Sequence, residues 1–151
     1  MTYNLHIVIR FELERALLSG DLQPADVPVA WNDAYERDLG IRPTNDADGV
    51  LQDIHWSAGL FGYFPTYSLG NLYAAQLFAA ADQSIGPLGP QFARGEFGEL
   101  LKWLRKNVHK PGQRFSAADL AERACGSKLE TGPLIRDLKC RLQPLYKIDW
   151  E

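Results

Sequence analysis

The stretch GVLQDIHWSAGLFGYFPTY, Gly49 to Tyr67, gathers Gln52, Asp53, His55, Trp56, Tyr63 and Tyr67 into one short segment. An imidazole and two phenols around one cavity can donate hydrogen bonds to an oxyanion that develops during hydrolysis. A phenol suits that task because it stays protonated at neutral pH, its pKa being about 10. Gly59, Gly62 and Pro65 break the stretch into helix, turn and helix, a layout that presents side chains at a bend. On a helix His55 would face Gln52 and Leu51, three and four residues back, while Asp53 would point to another side. The spacing therefore does not encode a helical Asp–His dyad. A histidine among apolar neighbours is most often a hydrogen-bonded core residue, and tyrosines are often partly buried, so it is the clustering that gives these residues weight. Ser57 and Ser68 lie close by, but neither sits in a GxSxG elbow, which leaves a serine hydrolase poorly supported.

The elements that must position this segment are helices. The first is expected from about Tyr3 to Leu18, ended at Ser19-Gly20-Asp21 by a left-handed glycine. Leu5, Ile9, Leu13 and Leu17 form one stripe, and Ile7, Phe11 and Leu18 a second on nearly the opposite side. Only the column His6, Arg10, Glu14 is polar. Such a helix should be buried on most of its circumference, and Arg10 must find a partner, with Glu14 as the local candidate. A second helix is expected from Pro24 to Asp38, with Gly40 and Pro43 ending it. A third should start after Thr44-Asn45-Asp46 with Val50, Ile54 and Ala58 on one line. A fourth runs from Pro65 to about Asp82. Ser84 to Pro90 reads as a loop, and three short amphipathic helices follow over 97–108, 116–124 and 131–142. No stretch alternates with period two, so the fold class is all-α, a helical bundle. The whole of 1–151 reads as one helical unit, with 1–83 as the half that carries the site and 91–151 as C-terminal helices.

Composition narrows the classes of function. With 46% hydrophobic and 23% charged residues the chain has the makeup of a folded protein. Sixteen Lys plus Arg against nineteen Asp plus Glu leave a net charge of -3, and no basic stripe, so nucleic acid is not an expected partner. Lys102, Arg105, Lys106 and His109 read as an ordinary solvated face. The longest apolar run, Leu72 to Ala81, is interrupted by Gln76 and is too short for the roughly 20 residues of a membrane span. No secretory leader is recognisable, and Cys125 and Cys140 read as two unpaired buried thiols, which together point to the cytoplasm.

GVLQDIHW, residues 49–56, resembles the GxxQDxHW signature of the thermostable metallocarboxypeptidase family, also called the carboxypeptidase Taq family, HExxH zinc enzymes of bacteria and archaea. TYNLHIVIRFELE at the start, NDADGVLQDIHWSAGLFGYFPTYSLGNLYAAQ and LLKWLRKNVH are similar to that family's C-terminal third, so the resemblance covers nearly the whole chain. It implies an enzyme that removes amino acids one at a time from peptide C-termini. Zinc or another divalent metal would be held by the two histidines of HExxH and a downstream Glu, while the Glu between the histidines activates water. His6, His55 and His109 do not form that arrangement, and the family's HPF, DxRxxT and IRxxAD motifs are also absent. The resemblance thus implies the C-terminal part of a larger, mostly helical metallopeptidase, inactive by itself, with no metal on this chain.

Carried over residue by residue, the resemblance assigns His55 and Tyr67 to catalysis, and Tyr63, Gln52 and Asp53 to the substrate side. His55 would sit near the scissile carbonyl or the substrate backbone. Tyr63 and Tyr67 would donate to substrate or oxyanion, and Gln52 and Asp53 could equally orient groups on the other part of the enzyme. Trp56 reads as a packing residue. The implied partners are a peptide substrate and the N-terminal part of the same enzyme, with a homodimer as the expected assembly. The competing reading is a non-catalytic, self-contained helical interaction or oligomerisation module, whose apolar first helix packs on another protein or on a copy of itself.

Overall fold

The computed structural model describes residues 2–147, and among them there are helices and turns but no strand. Seven α-helices follow in order: α1 Tyr3–Ser19, α2 Val27–Leu39, α3 Phe64–Ile85, α4 Leu88–Ala93, α5 Gly98–Leu104, α6 Ala117–Cys125 and α7 Gly132–Tyr146. They belong to two compact units, Met1–Leu69 and Gly70–Glu151, the first turns of α3 lying in one and its remainder in the other. The all-α expectation holds.

In the first unit, α1 ends where the sequence places its stop. Gly20 takes φ 83°, a left-handed conformation that suits a residue without a Cβ, and its N–H reaches the Leu17 carbonyl at 3.2 Å. A 3₁₀ turn, Pro24–Asp26, leads into α2. Ile9, Leu13, Trp31 and Ala34 form the core where the two helices meet, with Leu22, Tyr35, Leu39, Val50 and Trp56 packed around it. Ile9 and Trp31 are essentially inaccessible, and burying a side chain of this size stabilises a fold by about 1.5–3 kcal/mol. Trp31 stacks on Tyr35, centroids 5.0 Å apart, and meets Trp56 edge to face at 6.4 Å.

Two expectations for this unit are corrected. Leu5, Val8 and Leu18 of α1 are exposed, whereas Arg10 and Glu14 from its polar column are buried, Glu14 at 2% exposure. Nor does a third helix form over 46–58. Asp48 N–H bonds the Asn45 side chain at 2.9 Å, Leu51 N–H returns to the Asp46 carbonyl at 2.9 Å, and only a 3₁₀ turn, Val50–Gln52, results. Asp53 is then extended, at φ -108° and ψ 135°. Leu51 and Ile54 face outward, so the apolar line that suggested a helix is not a core stripe.

In the second unit, Ala81, Leu88 and Trp103 form the core, with Leu77, Ile85, Phe92, Leu104 and Val108 against it. The loop expected over 84–90 shrinks to Gly86 and Pro87, because α3 runs on to Ile85 and α4 begins at Leu88. Pro90 fits the first turn of α4, where a missing N–H costs nothing, and the Asp82 carboxylate accepts the Leu88 N–H at 2.8 Å. After α5 the chain makes a wide π turn, Arg105–His109. Ser116 caps α6 by accepting the Asp119 N–H at 3.1 Å. Cys125 is half-buried, which pushes its thiol pKa up, but Cys140 is exposed, contrary to the expectation that both are buried; both are free. Lys102, Arg105, Lys106 and His109 are all exposed, and Lys102 bridges to Glu99 at 2.6 Å. Among the described residues no helix is long and apolar enough to cross a membrane.

Candidate active site

The site is built on the irregular segment between the 3₁₀ turn and α3. Because Asp53 is extended rather than helical, its carboxylate can fold back on the residue two positions later. One oxygen, Oδ1, accepts from His55 Nδ1 and approaches the His55 N–H at 3.4 Å. The Asp–His pair that helical spacing forbids is therefore formed, and the correction has a plain cause: the dyad belongs to a turn, not a helix. The other oxygen, Oδ2, accepts from Arg10 Nε. Arg10 does not pair with Glu14, as its spacing suggested.

With the Asp53 carboxylate accepting from Nδ1, the neutral His55 ring carries its lone pair on Nε2. Tyr67, in the first turn of α3, donates its hydroxyl there at 2.9 Å. Tyr63 completes the group, its ring 6.1 Å from His55 and 5.5 Å from Tyr67 between centroids. Phe64, fully buried, lies 4.7 Å from the imidazole and closes its inner side. The His55 side chain remains 20% exposed and Tyr63 45%, so the cluster opens to solvent.

Charges follow from these contacts. Burial raises the Asp53 carboxyl, but hydrogen bonds from His55 and Arg10 outweigh it and hold the group below the ordinary carboxylate range. The Tyr67 hydroxyl is raised, first by desolvation and then by the neighbouring Tyr63, Tyr3 and Asp53, so it keeps its proton well into alkaline solution. His6 on α1 is lowered, chiefly by burial and then by the Arg10 charge, and its Nδ1 lies 3.1 Å from Arg10 Nη1. The result is a buried cation, a carboxylate, an imidazole and a phenol in one hydrogen-bonded row.

Of the residues singled out from the sequence, Asp53, His55, Tyr63 and Tyr67 come together. Gln52 does not join them: it is exposed, and its amide donates to the Ala47 carbonyl within its own turn. Trp56 packs against the core as expected, and it also donates its indole N–H to Glu14 at 3.0 Å. Ser57 and Ser68 donate to the Ile54 carbonyl and the Asn4 side chain, so neither has a base beside it. Sequence reasoning missed Arg10, Glu14 and Tyr35 as parts of this region. The polar column on an otherwise apolar α1 was the available signal for the first two. Tyr35, which accepts from Arg10 Nη1 at 2.7 Å, had none.

The described residues contain no group of three or more His, Cys, Asp or Glu that could hold a metal ion. A metal of the kind the sequence resemblance implies does not fit the described residues of this chain.

The profile of the carboxypeptidase Taq (M32) metallopeptidases matches residues 1–142. The chain is 51% identical over 146 residues to Thermostable carboxypeptidase 1 of Thermus thermophilus, and 42% identical over 146 residues to Carboxypeptidase 1 of Bacillus subtilis. The crystal structure of the M32 carboxypeptidase from Deinococcus radiodurans superposes with a TM-score of 0.94 at 44% identity, covering 98% of this chain. The chain spans 29% of the length of those two relatives and 30% of that structure. It belongs to the carboxypeptidase Taq (M32) metallopeptidase family.

Proposed function

We propose that this chain is the C-terminal region of a metal-dependent carboxypeptidase and supplies the wall of the active site that meets the substrate and its oxyanion. The observation that carries this reading is the row Asp53, His55, Tyr67, whose last two members open to solvent beside Tyr63. The family supplies the reaction, removal of a C-terminal amino acid from a peptide; zinc and the base that activates water would be contributed by residues outside these 151, and the chain alone would be inactive.

Within that division of labour each residue has a definite task. Tyr67 donates its phenolic hydrogen to the oxygen on which negative charge grows, and its raised pKa keeps that hydrogen in place throughout the neutral range. In the resting site this hydrogen is spent on His55 Nε2. As charge develops, the stronger acceptor draws the phenolic hydrogen bond away from Nε2, while Asp53 keeps the imidazole oriented through Nδ1. Tyr63 lies at the mouth and would contact the substrate chain. Asp53 acts through His55 rather than on substrate, and Gln52, bonded into its own turn, is given no part. Pairing of two copies follows from the resemblance alone; sedimentation of the full-length enzyme at twice the protomer mass is the expected result.

The deciding experiment is Tyr67→Phe in the full-length enzyme. Loss of one oxyanion donor should lower kcat by about 10²–10³-fold with KM little changed, since the interaction matures in the transition state. An unchanged kcat removes Tyr67 from the mechanism and with it the central support of this reading.

A further inference from the structure

Arg10 and Glu14 touch none of the reacting groups, yet they hold both ends of the segment that carries His55. They lie one turn apart on α1, with 9% and 2% of their surface exposed. Arg10 grips the near end: Nε donates to Asp53 Oδ2, while Nη1 donates to the Tyr35 hydroxyl at 2.7 Å and the His6 carbonyl at 3.0 Å. Its guanidinium also lies 4.7 Å over the Trp31 ring. Glu14 grips the far end: Oε2 accepts the Trp56 indole N–H at 3.0 Å and Oε1 accepts the Gly62 N–H at 2.6 Å. Gly62 has φ 78°, the left-handed turn from which Tyr63 and the start of α3 follow.

From this we infer that Arg10 and Glu14 are positioning residues for His55 and Tyr67. Arg10 fixes Asp53 so that the free oxygen of the carboxylate keeps a proton on His55 Nδ1; Glu14 fixes the turn at Gly62 so that the Tyr67 hydroxyl arrives at Nε2. A buried ion pair gains little net stability once desolvation is counted, and a planar guanidinium that meets Asp53, Tyr35, His6 and the Trp31 face at once is a poor choice if charge alone were needed. What the arrangement supplies is geometry. The inference rests on the reading of His55 and Tyr67 as the working pair.

Histidine-labelled full-length enzyme, observed through long-range proton–nitrogen correlations of the imidazoles, provides a readout that a merely structural role would not move. In the unaltered enzyme His55 should be the pure Nδ1–H tautomer. Arg10→Lys keeps the charge but loses the fork, and should give a mixture of tautomers with kcat reduced roughly 10- to 100-fold and KM within about 2-fold. Glu14→Gln should leave the tautomer alone, because Arg10 and Asp53 are intact, but should strip exchange protection from the Trp56 indole and the Gly62 amide and lower kcat. Should Arg10→Lys not fold, Asp53→Asn asks the same question: with Arg10 Nε still donating to the amide oxygen, the NH2 group faces Nδ1 and His55 should switch to the Nε2–H tautomer. A pure Nδ1–H tautomer in Arg10→Lys, or a retained Nδ1–H population in Asp53→Asn, overturns the inference. Failure of the underlying reading looks different: the tautomer responds to Arg10, but His55→Gln leaves kcat at its original value.

Discussion

Each of the two units uses a buried polar side chain on a helix to hold an irregular segment, and they do so with different chemistry. In the first unit the holders are ionised: Arg10 and Glu14 grip residues 53–62. In the second the holder is neutral. Gln76, 4% exposed, donates its amide to the Ser127 hydroxyl at 3.0 Å and the Lys128 carbonyl at 2.9 Å, and accepts the Glu130 N–H at 3.0 Å. An amide satisfies a turn's backbone at small electrostatic cost. A charged pair costs more to bury, and it carries through Asp53 to a titratable ring, which an amide could not orient as firmly. The segment held by charge is the one that presents His55; the segment held by an amide presents no comparable group.

Truncating the holders should break this symmetry unequally. Glu14→Ala removes a buried carboxylate that satisfies two donors and leaves a gap against Trp56; a loss of about 3 kcal/mol from the first unit is expected. Urea denaturation followed by Trp fluorescence measures it, and a loss below about 1 kcal/mol would show that water replaces Glu14 readily. Gln76→Ala deletes more hydrogen bonds but should cost less, about 1 kcal/mol, because Ser127, Lys128 and Glu130 are exposed and water can take its place. Amide exchange should rise over 127–130 and remain unchanged at Gly62. Equal losses from the two variants would mean that the charge on Glu14 adds nothing to its role.

The same contrast explains what could be read from the sequence. Helices whose apolar residues pack within the described residues were legible with their ends, as at Gly20 and Ser116, because capping is local chemistry. The signature around His55 marks the candidate site but not its geometry. Val50, Ile54 and Ala58 suggested a helix because periodicity cannot see that Asn45 and Asp46 close a turn first, or that Asp53 is claimed by an arginine 43 residues away. The polar column of α1 was visible, yet its partner was sought along the helix, since sequence displays neighbours at i+4 and hides those brought in by folding. Apolar Leu5 and Leu18 were expected to be covered and are not, whereas Arg10 and Glu14 are.

Acid should separate the members of the charged row, with the smallest effect of the three. His6 is lowered mainly by burial, so on acidification the unfolded chain takes up its proton before the folded one does. Stability conferred by a neutral His6 is complete above the ordinary imidazole value of about 6.5 and declines as pH falls below it. Asp53 behaves with the same sign in a lower window: its contribution is complete above the ordinary carboxylate range and is lost only as pH falls through its depressed folded value. Between those windows Arg10 stays paired while His6 already opposes folding. Midpoints of urea unfolding measured from pH 8 to pH 4 should therefore fall less for His6→Gln than for the unaltered protein, the two curves converging on the acid side or crossing. Asp53→Asn should lie below both at neutral pH and approach them only at the acid extreme. Parallel curves for His6→Gln and the unaltered chain would show that His6 titrates alike in both states, and that the Arg10 charge reaches Asp53 without disturbing the ring one turn before it.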